Sequence, residues 1–476
     1  MVSEYVREQK RYTQIELCNI LGCSQDGVIP LIRKLKEFGI LKAVRATDLQ
    51  RDMSDLQEED IEVVDVEPDD DFLYVFTFVG VVVVAGRILK CYPKYLLNQR
   101  HPIDEMRQVL KVLEKYNSKE QIIRMFNDTV GNRAFNLLAV LLFLLQDYYE
   151  NGVYSDTEEI VESNGSGEIL WDKTVNETFT ILSANRPFYI DLQTRNRIND
   201  EYDYFKRLHE CVISRASEEL KKAELLDLFE ITEVDLTDEQ LDDFGDKDYI
   251  LYQIEKELNT QFNTRKQLVL KIVYAYIEHN GSLFDSDCLS LFGTNSFNLV
   301  WEKVCADIMD NQLDVRLDDL KLPKPLKERY YPQKILIDLI EKPTWTITGK
   351  TAKDTLIPDL VSIHGEQFII FDAKYYTARL ENGQDPQGQP GIESVIKQYL
   401  YQLAYKEFIT DHGFSSVKNC FLFPTEKNGV VDKGKVSLKI LSHLGLEDIE
   451  IRLLPARMAF NHYLSGEKMD IAKLKL

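Results

Sequence analysis

Four consecutive apolar residues, Phe368-Ile369-Ile370-Phe371, stop abruptly at Asp372-Ala373-Lys374. Side chains of a strand alternate between its two faces, so a half-exposed strand alternates apolar with polar. A strand that is apolar at every position has both faces covered. This chain therefore needs a sheet with helices packed on it, an α/β arrangement. The preceding segment, about 356–363, also reads as a strand and begins at Pro358-Asp359, with a turn at His364-Gly365 between the two. A hairpin return across that turn brings Asp359 beside Asp372. Asp372 and Lys374 then project to one side and Ala373 to the other.

Two carboxylates and a lysine at the edge of a buried sheet suit metal-assisted phosphodiester hydrolysis. Mg2+ takes hard oxygen ligands and keeps several waters. Asp359, Asp372 and the backbone carbonyl of Ala373 would supply three such oxygens. A bound metal acidifies a water and offsets charge on the phosphate. Lys374 would orient that water or neutralise charge developing in the transition state.

The 476 residues correspond to about three domains of ordinary size. Residues 12–45 read as a helix-turn-helix of winged-helix type. Thr13 and Glu16 form a capping box, Gly22 makes the turn, and Ser24 caps a second helix. In that helix Val28, Leu31, Ile32 and Leu35 share one face, with Pro30 in its early turns. Residues 1–46 carry eight bases against five acids, which allows DNA contact by the second helix or protein docking. Residues 47–71 read as an acidic linker. Residues 72–280 read as a mixed α+β region: strands at 72–97, helices at about 103–127, 132–150, 201–223 and 249–279, and a second acidic segment at 224–248 running over the surface. Residues 281–476 read as an α/β domain with a mixed central sheet, including helices at 295–310, 391–411 and 456–464.

The formal charge is −22, but it is concentrated. Residues 48–71 hold twelve acids against one base, Arg51, and residues 224–248 hold eleven against one, Lys247. Outside them the chain is nearly neutral, so a nucleic-acid partner is compatible with the acidic total. The seven cysteines are scattered with no C-x-x-C, which argues against a disulfide framework or zinc module. The longest apolar run, Ala134 to Leu145, is too short to span a bilayer. No secretion signal is present, so a cytoplasmic protein without a membrane partner is expected. Gly349-Lys350-Thr351 ends like a nucleotide-binding P-loop, but Thr344 stands where its first glycine belongs and a strand pattern follows. Any nucleotide hydrolysis therefore belongs to a partner.

Pro358-Asp359 followed by Asp372-Ala373-Lys374 resembles the PD-(D/E)xK nuclease signature. Gln402-Leu403-Ala404-Tyr405 resembles the Y-Q-L-x-A-Y run of McrC-type restriction subunits, with one residue fewer between glutamine and tyrosine. Phe292-Gly293-Thr294-Asn295-Ser296-Phe297, the following Trp301-Glu302-Lys303-Val304-Cys305, and the segment Gly86–Tyr95 are similar to the LlaJI restriction endonuclease family, McrBC-related. The resemblance runs from about residue 72 to the C-terminus.

It implies a C-terminal PD-(D/E)xK domain and a metal-dependent deoxyribonuclease of type II/IV-like restriction, acting on double-stranded DNA with Mg2+. It also implies Glu302 as an acid completing the metal site and Gln402 as a residue positioning water or phosphate. The implied partners are a McrB-like AAA+ GTPase, which alone would use GTP, and a methyltransferase of the same system. The region 72–280 would dock on the motor. Two other readings stand beside this one: a non-cutting adaptor that stimulates the motor, and a winged-helix transcription regulator. On the nuclease reading, removing residues 1–46 should cost at most the choice of site.

Overall fold

The computed structural model of the chain describes residues 2–45, 72–117, 135–155, 157–183, 186–199, 203–347, 349–381 and 383–476. The chain divides into two compact units, Met1–Arg133 with Leu291–Leu476, and Ala134–Ser290. The stretch 72–280 is thus shared between the units.

The first unit opens with strand β1 (Val2–Arg7) and the short β2 (Arg11–Tyr12). Helices α1 (Gln14–Leu21) and α2 (Gln25–Glu37) follow, then β3 (Leu41–Arg45). The helix-turn-helix forms as its sequence dictates. Glu16 N donates to Thr13 Oγ1 (3.2 Å) and Thr13 N to Glu16 Oε2 (2.8 Å). Gly22 adopts the left-handed conformation, with φ 59°. Val28, Leu31, Ile32 and Leu35 are all buried.

Next come β4 (Phe72–Phe76), β5 (Val79–Val84), β6 (Arg87–Tyr92) and helix α3 (Ile103–Tyr116). Strand β4 lies between β2 and β3 in an antiparallel three-stranded sheet, the sheet a winged helix requires. The acidic linker lies outside the described residues, and the strands on either side of it, β3 and β4, pair with each other. Strand β1 belongs to a different sheet, where it runs parallel to β6. Removal of residues 1–46, expected on the nuclease reading to cost at most the choice of site, would also strip this edge strand from a sheet of the first unit.

The second unit contains β7 (Thr157–Ser163), β8 (Glu168–Ile169), β9 (Thr180–Ser183), β10 (Arg186–Tyr189) and β11 (Gln193–Asn199). Its helices are α4 (Leu137–Asn151), α5 (Trp171–Glu177), α6 (Tyr204–Lys222), α7 (Lys247–Thr260) and α8 (Thr264–His279). Two expectations change here. The single helix expected over 249–279 is two helices, because Asn263 caps a new start by accepting from Lys266 N (3.1 Å). The acidic segment 224–248 does not merely run over the surface. Its Leu225, Leu228, Val234 and Phe244 are buried, and Val234 N and Leu236 N donate to Ser217 and Ser214 of α6 (2.8 and 2.9 Å).

The chain returns to the first unit through β12 (Leu289–Thr294), which pairs with β5 to complete the sheet order β1-β6-β5-β12. Gly80 and Gly293 make that pairing possible. A Cβ on Gly80 would stand 2.1 Å from Phe292 O, and one on Gly293 would stand 2.2 Å from Val79 O. Helix α9 (Phe297–Ile308) follows, then the exposed hairpin β13 (Thr344–Trp345) and β14 (Lys350–Thr351). The P-loop-like residues thus lie in a hairpin.

The principal sheet uses β15 (Leu360–His364), β16 (Gln367–Ala373), β17 (Ser416–Thr425), β18 (Val431–Val436) and β19 (Ile449–Pro455), in the order β15-β16-β17-β19-β18. It is mixed, as expected: β16, β17 and β19 are parallel, and both edges are antiparallel. Helices α10 (Ile392–His412) and α11 (Ala456–Ser465) complete it. Phe368 and Ile370 pack with Tyr401, Tyr405 and Phe408 of α10. Trp301 of α9 is fully buried, packs edge-on against Phe460 of α11 and donates to Leu422 O of β17 (3.2 Å). Strand β16 is buried from Phe368 to Ala373, which accounts for its uninterrupted apolar sequence.

Truncation of Phe371, which has no exposed surface, removes a ring from the middle of this sheet. Phe371→Ala should lower unfolding free energy by about 3–5 kcal/mol in denaturant titration. Ile347→Ala, at 99% exposure, should leave it unchanged.

Candidate active site

The hairpin register aligns Leu360 with Phe371, so Asp359 follows the ladder out opposite the end of β16. Its carboxylate turns onto that strand, with Oδ2 accepting from Ala373 N at 2.8 Å. Asp372 is 4% exposed. Lys374 Nζ lies 2.9 Å from Asp372 Oδ1 as an ion pair, and Oδ1 is buried with no other partner. Beyond the strand, Lys374 N donates to Leu422 O (2.9 Å), the carbonyl that also receives the Trp301 indole. One carbonyl of β17 thus ties together the lysine backbone and the helix that carries Glu302.

Electrostatics bind these groups into one cluster. Burial pushes the Asp359 carboxyl well above the ordinary carboxylate range, and Asp372 and Glu302 push it further. Glu302 is half-buried and also raised, by burial first; Lys374 opposes the rise and Asp372 adds to it. For Lys374, burial favours the neutral amine, but Asp372 and Asp359 outweigh it and hold the ammonium above its usual value. Cys305, one turn beyond Glu302, is fully buried; its thiol is raised by burial, then by Asp359 and Glu302.

Asp359, Asp372, Lys374 and Glu302 are therefore brought together. Gln402 is not among them. Its Oε1 accepts from Asn419 Nδ2 (2.7 Å) and Glu447 N (3.1 Å), so it fastens α10 to the early part of β17. Tyr405 is core, packed on Phe368. Two residues of α10 that precede Gln402, Gln398 by a helical turn and Tyr401 by one position, bond instead to the backbone leading to the two acids. Gln398 Nε2 donates to Ile370 O (3.0 Å), two residues before Asp372. The Tyr401 hydroxyl donates to Ile357 O (3.0 Å), two residues before Asp359. Tyr401 is raised by burial, then by Asp372 and Asp359. Gln398 and Gln402 are a helical turn apart in sequence, and only the fold says which partners each of them meets.

The donor set fits a hard divalent cation. Two carboxylates lie side by side in a site that disfavours charging both, and Asp372 Oδ1 is a buried oxygen served by a single ammonium. As the side chains stand, no three His, Cys, Asp or Glu groups among the described residues form a ready cage.

The profile of the LlaJI restriction endonuclease family matches residues 78–335 and 328–453, and the chain belongs to that family. It is 26% identical over 412 residues to the type II restriction enzyme BsuMI component YdjA of Bacillus subtilis (strain 168), covering 83% of this chain and 81% of the relative. Among solved structures, it is similar to a half-complex from a tetradecameric assembly of Thermococcus gammatolerans McrB AAA+ hexamers with bound McrC. That match has a TM-score of 0.38, 13% identity, and covers 98% of this chain and 99% of that one. The Thermococcus gammatolerans McrBC complex matches with a TM-score of 0.26 and 13% identity, over 63% of this chain and 85% of that one. Likeness at those scores does not define a shared fold. No helix among the described residues is long and apolar enough to cross a membrane.

The raised Asp359 has a sign that can be checked. A carboxyl whose folded pKa exceeds its unfolded value contributes stability below the unfolded pKa and loses it as pH rises through the folded one. Asp359→Asn should therefore raise the melting temperature at neutral pH without added metal. The advantage should vanish below the ordinary carboxylate range, as read by melting scans across pH. Gln402→Ala should lower stability by about 1–3 kcal/mol through the donors it leaves unpaired, while activity per folded molecule holds.

Proposed function

We propose that the chain is a Mg2+-dependent DNA endonuclease subunit of a restriction system, with a PD-(D/E)xK active site at the end of β16. The observation that carries this reading is the convergence of Asp359, Asp372, Lys374 and Glu302 at one edge of a two-sided buried sheet. Asp359, Asp372, the Ala373 carbonyl and Glu302 would hold the cation, which when bound acidifies water and offsets phosphate charge. The chain's own groups account for the rest. Lys374 keeps its proton and stands where negative charge develops on the phosphate. The Ala373 N–H holds Asp359 in line. Membership of a restriction endonuclease family supports DNA as substrate.

The chain works, on this reading, with a McrB-like AAA+ GTPase, and GTP is used only there. The relative YdjA is described as one component of a restriction enzyme, which supports action as part of an assembly. The adaptor reading is favoured by one further observation. In the second unit Trp171, Phe179, Leu182, Phe188 and Ile190 are all more than half exposed. Exposed apolar side chains of this kind support docking on another protein, and docking and cutting can reside in one chain.

A plasmid cleavage assay tests the nuclease. The full chain, with Mg2+, a McrB-like AAA+ protein and GTP, should cut DNA. Lys374→Ala or Asp372→Ala should each lose roughly 10²–10⁴-fold in rate while still co-purifying with the partner. Undiminished cutting by an Asp359→Ala/Lys374→Ala double variant would rule the active site out. A wild-type chain that cuts neither methylated nor unmethylated DNA, yet still raises the partner's GTP hydrolysis, is the adaptor's signature.

A further inference from the structure

Immediately after β1 the chain buries a carboxylate. Glu8 is 6% exposed, and its backbone is pinned by Glu8 N donating to Tyr92 O (2.9 Å). Gln9 follows in the left-handed conformation, φ 56°, with its N–H donating to Phe76 O (2.9 Å). Two donors converge on Glu8 Oε2: the Lys94 N–H at 3.1 Å and the hydroxyl of Tyr375 in a short hydrogen bond. Lys94 N also reaches the Tyr375 hydroxyl oxygen, at 3.3 Å. The Lys94 ammonium donates to Gln9 Oε1 (2.9 Å) and lies over the rings of Tyr375 and Tyr376, 4.6 and 5.8 Å from their centroids. Phe297, at the start of the helix that bears Glu302, packs on Tyr375 with centroids 5.2 Å apart.

Tyr375 is the residue after Lys374. Strand β16 ends at Ala373, and beyond it the ladder retains the bond from Lys374 N to Leu422 O. Neighbouring side chains of an extended chain point to opposite sides. A fixed Tyr375 therefore sets the direction in which Lys374 leaves the backbone. An apolar contact would fill the same space without the cost of burying a carboxylate. What the carboxylate adds is direction, since a strong acceptor fixes where the tyrosine hydroxyl must lie.

We infer that Glu8 is a positioning residue for the cutting site: by clasping the Tyr375 hydroxyl it holds Lys374 toward Asp372. This makes the N-terminal strand part of the catalytic apparatus, and it rests on the reading of the end of β16 as the place where DNA is cut.

The test uses the full chain with its AAA+ partner, GTP, Mg2+ and plasmid DNA, and compares Glu8→Ala, Glu8→Gln and Tyr375→Phe. Glu8→Ala and Tyr375→Phe should each lower kcat by roughly 10- to 100-fold, with KM for DNA unchanged. Glu8→Gln keeps an acceptor oxygen and should restore most of the rate. The Glu8→Ala/Tyr375→Phe double variant should be no slower than the slower single variant, because both break one clasp. Hydrogen–deuterium exchange on the isolated full chain is the second readout. Amides of 372–376 should exchange faster in Glu8→Ala and Tyr375→Phe but not in Glu8→Gln. Full turnover by Glu8→Ala, multiplicative losses in the double variant, or unchanged exchange at 372–376 overturns the inference. A wild-type chain that never cuts defeats the nuclease reading instead, and the exchange measurement still decides whether the clasp exists.

Discussion

The hydrogen bond from Ala373 N to Asp359 Oδ2 joins two strands by a means that neither strand's ladder provides. It draws one acid toward another across the open end of a hairpin, against their mutual repulsion. In water two such carboxylates would swing apart. Here each is short, sits at a strand end, and is set in a sheet that cannot yield, because β16 is packed from both sides. The stress of that arrangement appears as the raised Asp359 and the ammonium held on Asp372. A site that disfavours its own double charge would be relieved by a cation, and a lysine that keeps its proton is suited to a phosphate. The same crowding thus supplies both the affinity and the chemistry proposed for it.

That rigidity is assembled from distant parts of the chain. Leu422 O receives both the Trp301 indole and Lys374 N. Gln398 and Tyr401 tie α10 to the backbone just ahead of each of the two aspartates. Residues near the N-terminus close the arrangement from another direction. Strand β1 pairs with β6, β5 meets β12 where neither Gly80 nor Gly293 can carry a side chain, and α3 fastens to α11 through Gln108 and Asn461 (2.6 Å). The first unit is one structure made from both ends of the sequence.

In the second unit, magnitudes decide what holds the acidic segment 224–248 in place. Its ion pairs, Arg207 with Glu239 and Lys221 with Glu233, are partly or largely exposed, and pairs of that kind contribute about 0–1 kcal/mol each. Burial of Leu225, Leu228, Val234 and Phe244 contributes about 1.5–3 kcal/mol per side chain. The few apolar residues anchor the segment, and the charges keep the remainder in water. Read as composition, the charges dominate; in free energy they are the smaller effect.

Local chemistry made much of this protein legible from its residues. The capping box at Thr13, the turn at Gly22, the buried face of α2, the apolar β16 and the pairing of Asp359 with Asp372 all follow from spacings of a few residues, where backbone geometry leaves few choices. Glu302, nearly sixty residues before Asp359, was reached by family likeness and not by physics of the sequence. What tertiary structure alone decided are the contacts between segments remote in sequence and the direction in which elements run. Gln402 carries the same chemistry as Gln398, yet the fold sets the first against Asn419 and Glu447 and the second against the Ile370 carbonyl. Nothing in its sequence neighbourhood singles out Glu8 until the fold sets Tyr375 against it. Sequence determined which elements form and which residues share a strand face, because those are local properties of the backbone. Which elements meet, and so which polar side chains are buried together, was settled only when the sheets closed.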